Sequence, residues 1–126
     1  MIDTNILLDW LLDRIPAHTK LVDNLLTHSK ELHIPDVAIV ELAFALEKHY
    51  ELPRDIVCSN IIKVLDEPVF NCNRALFQQA TVKYGQHPAL SFVDCCLLYY
   101  ADLQDVTVWT FYKKFANQSA GKACLL

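Results

Sequence analysis

Apolar positions recur every three to four residues along most of the chain, and short runs that break this rhythm separate the helical stretches. The spacing predicts a helix over 6–13, capped by Thr4 or Asn5. A second helix starts at Pro16 and runs to about 29, through Val22, Leu25 and Leu26. Residues 31–34 form a short strand before Pro35. Asp36 then caps a long helix reaching about 50. Pro53 opens another, marked by Ile56, Val57, Ile61, Ile62 and Leu65. Residues 68–70 read as a brief strand and 73–84 as a helix. Ser91 caps a helix that carries Asp94, and 106–110 alternates like a strand rich in β-branched residues. Residues 113–117 form one more turn, and the apolar 123–126 could add an edge strand. Short strands alternating with helices give an α/β class, a sandwich with a mainly parallel sheet.

Composition narrows this picture. The chain has 126 residues and is 53% hydrophobic, which fits one domain, 1–126, with a substantial core. Two glycines and five prolines argue against disorder. The apolar run at 95–101 is too short for a bilayer span, which needs about 20 residues. No secretory leader is expected, because Asp3 and Asp9 interrupt the start. Five cysteines, odd in number and without a C-x-x-C pair, read as reduced thiols. The five histidines show no zinc spacing. A net charge of −4 argues against bulk electrostatic wrapping of DNA, but does not exclude a nuclease whose own acids hold a metal.

Three carboxylates stand in apolar contexts. Asp3 follows Met1-Ile2. Glu41 has Val37, Ala38, Phe44 and Ala45 one helical turn away. Asp94 has Leu90, Ser91, Leu97 and Leu98. A carboxylate on an apolar face needs a positive partner, and several converging acids call for a cation. Asp3 lies just past the first strand, where parallel sheets place their ligands, and Glu41 and Asp94 lie in early helical turns that point to that side. Asp3 also reads as a helix N-cap and Asp94 as part of a capping box, and these roles can coexist with metal binding. Asp9, Asp13 and Asp23 read as ordinary exposed helix acids.

Asp3-Thr4-Asn5, Pro35-x5-Glu41-Leu42, Ser91-Phe92-Val93-Asp94 followed by Ala101, and Thr110-Phe111-x-Lys113-Lys114-Phe115 occur in that order over nearly the whole chain. Together they resemble the PIN domain, and within it the VapC-type toxins of prokaryotic toxin–antitoxin pairs. The resemblance implies a three-layer α/β/α sandwich with a mainly parallel central sheet. It implies a metal-dependent endoribonuclease that uses Mg²⁺ or Mn²⁺ to hydrolyse RNA phosphodiester bonds. Asp3, Glu41 and Asp94 match the family's main acids as catalytic metal ligands, and Asn5 and Thr110 match supporting positions. Lys113 and Lys114 follow the strand end and suit phosphate contacts. The implied partners are an RNA substrate, a cognate antitoxin that presents Arg or Lys to the acids, and a second copy in a homodimer. The implied location is the cytoplasm, with no membrane contact.

Two departures stand out. The family's further acid, two residues after Thr110, is replaced by Tyr112, a poor ligand for Mg²⁺ near neutral pH because its pKa is ~10. Tyr112 could instead stack on a base. Asp102, two turns beyond Asp94, is a poor substitute at roughly 12 Å. Members usually carry several apolar residues before the first Asp, where this chain has Met1 and Ile2. Either strand one is very short or the chain begins late. These departures support an alternative, a catalytically impaired PIN-fold protein that binds antitoxin or RNA without cutting. A third chemistry, an aspartyl-phosphate hydrolase or receiver, fits poorly, since Asp3 lacks the D-x-D pattern. The apolar stretch 7–12 suggests a dimer or antitoxin surface.

Overall fold

A computed structural model describes residues 1–126. The chain divides into two compact units, Met1–Asn73 and Arg74–Leu126.

The first unit opens with helix α1, Thr4–Leu12, followed by α2, Pro16–His28. The ring of Pro16 presets the first helical φ and removes an amide that would have no partner there. Strand β1, Leu32–His33, leads into α3, Asp36–Phe44. The helix then widens into a π turn over Ala45–His49, where the Tyr50 amide donates to Ala45 O at 3.0 Å. Helix α4, Arg54–Asp66, and strand β2, Phe70–Asn71, complete the unit. β1 and β2 pair in parallel, Leu32 opposite Phe70. α1 packs on α2 and α3, and α3 on α4. Leu7, Ile34, Ile39, Leu42, Leu46, Val57, Ile61 and Phe70 are buried in this unit. Each contributes about 1.5–3 kcal/mol by leaving water. Trp10 meets Phe70 edge-on, with ring centroids 5.5 Å apart.

The second unit holds α5, Arg74–Gln86, and α6, Phe92–Gln104, packed on each other. Strand β3, Val108–Thr110, helix α7, Lys113–Gln118, and strand β4, Ala123–Leu125, follow. β3 and β4 also pair in parallel, Trp109 opposite Cys124. Phe77 stacks on Phe92 at 6.1 Å, and Tyr84 meets the same ring edge-on at 5.7 Å. Parallel strands joined through helices are the α/β class expected from the pattern. No helix is long and apolar enough to cross a membrane.

Several expectations need correction. No strand forms at the start of the chain. Its trace is one hydrogen bond, from the Ile2 amide to His33 O at 2.7 Å. The cap of α1 is Asp3, not Thr4 or Asn5, and Pro35 rather than Asp36 flanks α3. The stretch 7–12 is not an exposed surface: Leu7 and Leu8 are buried and Trp10, Leu11 and Leu12 half-buried. α1 is short and packed by two other helices, so its apolar residues are consumed within the unit. Asp9 is likewise no exposed acid, with 8% of its surface open to solvent.

Candidate functional site

Asp3 takes extended backbone angles, φ −85° and ψ 156°, and its Oδ1 accepts the Thr4 amide at 2.7 Å. The N-cap role expected of an Asp here is therefore present. The next residue anchors the site. Thr4 is buried, and its hydroxyl donates to Ala38 O at 3.4 Å, which ties the start of α1 to the first turn of α3. Glu41 follows one turn later on α3. As a result Asp3 and Glu41 line one cavity of about 360 Å³, together with Ile2, Thr4, Pro35 and Ala38.

Both carboxylates are exposed, and neither forms an ion pair. The expectation that apolar neighbours would bury Glu41 is overturned. Val37 is 74% exposed and Phe44 64%, so the two large apolar residues beside Glu41 are themselves at the surface, while Ala38 is buried. Two carboxylates lining one cavity, neither of them neutralised in an ion pair, attract a cation. Their donors are all oxygen, which suits a hard divalent ion, and their exposure leaves room for water to complete its coordination.

Asp94 lies in the second unit, at the third residue of α6. Its amide donates to Ser91 Oγ at 3.0 Å, and its Oδ2 accepts the Ser91 amide at 3.0 Å. This is the reciprocal capping box read from the sequence. The cap uses Oδ2, so Oδ1 is not committed to it. No group of three or more His, Cys, Asp or Glu side chains is arranged to hold a metal ion. The structure thus places Asp3 and Glu41 on one cavity, and the third acid on a separate element.

The remaining expected residues are at the surface or half-buried. Asn5 is exposed on the first turn of α1. Thr110 ends β3, and its Oγ1 accepts the Tyr112 amide at 2.9 Å. That bond fixes the bend leading into α7, with Tyr112 as its flanking residue and Lys113 and Lys114 exposed on its first turn.

Sequence reasoning missed one charged cluster. The Asp9 carboxylate pairs with Arg14 Nε at 2.7 Å and His18 Nδ1 at 2.8 Å. Arg14 also donates to the Tyr50 hydroxyl, and its guanidinium stands 5.8 Å from that ring's centre. The His18 hydrogen bond, helped by Arg14, holds the Asp9 carboxyl below the usual carboxylate range against the opposing effect of burial. The available signal was a pair of basic residues five and nine positions after an acid set among leucines.

The chain belongs to the PIN domain family, whose model matches residues 1–120. Within that class it is similar to a VapC ribonuclease of Aquifex aeolicus (strain VF5). The two are 24% identical over 98 residues, covering 75% of this chain and 73% of that protein. No solved structure matches the chain.

Proposed function

We propose that the chain is a metal-dependent endoribonuclease of the VapC type. The observation that carries this reading is the pair Asp3 and Glu41 on one cavity, neither in an ion pair, in a PIN domain similar to a VapC ribonuclease. Asp3, Glu41 and Asp94 would hold Mg²⁺ or Mn²⁺. When bound, such an ion supplies Lewis acidity toward water and the scissile phosphate. The protein's own contribution is placement. The cap at Asp3 and the Thr4–Ala38 bond hold two acids on one cavity before any ligand arrives. Asn5 and Thr110 act as supporting residues.

The cognate antitoxin and a second copy of the chain are proposed partners, acting in the cytoplasm. Val37 and Phe44, exposed beside Glu41, favour an antitoxin segment that combines apolar side chains with an Arg or Lys.

The test is cleavage of total RNA in Mn²⁺, run beside Asp3→Asn, Glu41→Gln and Asp94→Asn, with melting temperature followed as metal is added. Discrete cuts that vanish in all three variants, and a metal-induced rise in Tm that each variant loses, are expected. A folded protein that neither cuts nor gains stability from metal refutes the proposal. That outcome favours the second reading, a PIN-fold binder that does not cut, which rests on Tyr112 standing where the family carries an acid.

A further inference from the structure

The unit that carries Asp94 ends in a surface that the carboxylate pair does not explain. Exposure alternates along β3 and past it. Val108 and Thr110 are half-buried, while Trp109 is 65% and Phe111 80% exposed. Tyr112 is exposed next to them. Single exposed apolar residues are ordinary, but three rings within four residues are not.

Charge makes the patch selective. From 106 to 126 the chain contains three lysines and no Asp or Glu, although its net charge is −4. An ion pair joins Lys122 to Asp102 at 2.8 Å. Lys113 and Lys114 take part in none and stand exposed directly after the rings. Aromatic faces beside uncompensated cations match a ligand that offers flat π surfaces and a string of negative charges. A folded protein partner offers the first feature without the second. A nucleic-acid duplex offers the second but keeps its bases stacked on each other.

We propose that Trp109 and Phe111 stack on the bases of single-stranded RNA while Lys113 and Lys114 contact its phosphates. This deepens the ribonuclease reading by naming the residues that would grip the RNA, and rests on that reading only for its link to cleavage.

The test uses the full chain in EDTA, where no metal-dependent cutting can occur. Fluorescence anisotropy follows a labelled oligouridylate of about 10 nucleotides, a length within the usual site sizes, against a duplex of equal length. The single strand should bind more tightly. Phe111→Ala and Trp109→Ala should each weaken binding roughly tenfold, and Phe111→Tyr should retain it. Lys113→Ala with Lys114→Ala should lower the salt slope of log K by roughly 1.4. Circular dichroism confirms that each variant is folded. Failure to bind the single strand, equal affinity for the duplex, or alanine variants that bind unchanged would each overturn the proposal. So would ring variants that convert a dimer to monomer in sedimentation while RNA binding stays intact, since the face would then serve self-association. A protein that binds by these rings but never cuts with Mn²⁺ overturns the nuclease reading and leaves this surface standing.

Discussion

Tyr112 is the residue on which activity is expected to turn. Its amide is fixed by Thr110 Oγ1, so the backbone holds position 112 in place whatever its side chain. Tyr112→Asp should therefore place a carboxylate at the family's position with little change to the bend. Initial rates of RNA cleavage in Mn²⁺ should rise by about tenfold or more, the scale of one added ligand or hydrogen-bonding group at a metal site. An unchanged rate would mean that the phenol is not what limits the enzyme. Asp9 gives the opposite lesson. The sequence set it among the exposed acids because helical periodicity reads only neighbours on the same helix. Its partners Arg14 and His18 come from beyond the end of α1, so its burial was not legible from that pattern. Glu41 was misread in the same way, since apolar neighbours in sequence were taken for a buried face.

Most elements were legible because a specific residue starts or stops them. Pro16 opens α2, and Ser91 with Asp94 closes a hydrogen-bonded box around the start of α6. The box makes a prediction that separates structure from chemistry. Ser91→Ala removes the acceptor of the Asp94 amide and should cost about 1 kcal/mol in urea unfolding, without abolishing metal-induced stabilisation. Asp94→Asn keeps an oxygen acceptor and should cost less stability while losing metal response. An Asp94→Asn variant that keeps its metal response would assign Asp94 to the cap alone. α1 supplies the second test. Leu7 is fully buried, so Leu7→Ala should cost about 2–5 kcal/mol. A cost below 1 kcal/mol would contradict the packing of α1 on α2 and α3. The π turn at Ala45–His49 was not legible, because a hydrogen bond shifted by one residue leaves no signature in residue type. The missing opening strand was only half legible. Met1 and Ile2 announce few apolar residues, but not that a single bond to His33 would replace a ladder.

At the scale of the whole molecule, the ionisable groups set the pH range of the fold. Asp9 and Asp102 both have carboxyls held below their usual value in the folded state. For Asp9 the main cause is the His18 hydrogen bond, and for Asp102 it is the hydrogen bond from Lys122. A depressed carboxylate pKa means that the unfolded chain binds the proton first. Their contribution is therefore complete above about pH 4 and is lost as pH falls through the folded values. The alkaline limb has the opposite sign. Burial raises the Cys58 thiol, and the Asp102 partner raises Lys122, so the folded chain holds these protons longer. Stability from both is complete below the ordinary values and falls as pH rises beyond about 8.5 for the thiol and 10.4 for the lysine. Urea midpoints measured from pH 2 to 11 should thus show a plateau between about pH 4 and 8.5, with declines on each side. Asp9→Asn should lower the plateau and flatten the acid limb, because the group whose protonation differs between the two states is gone. Asp102→Asn should flatten both limbs slightly, since it removes one depressed carboxylate and the partner that raises Lys122. An acid limb that keeps its full slope in the Asp9→Asn variant would show that the buried Asp9 cluster does not govern acid stability.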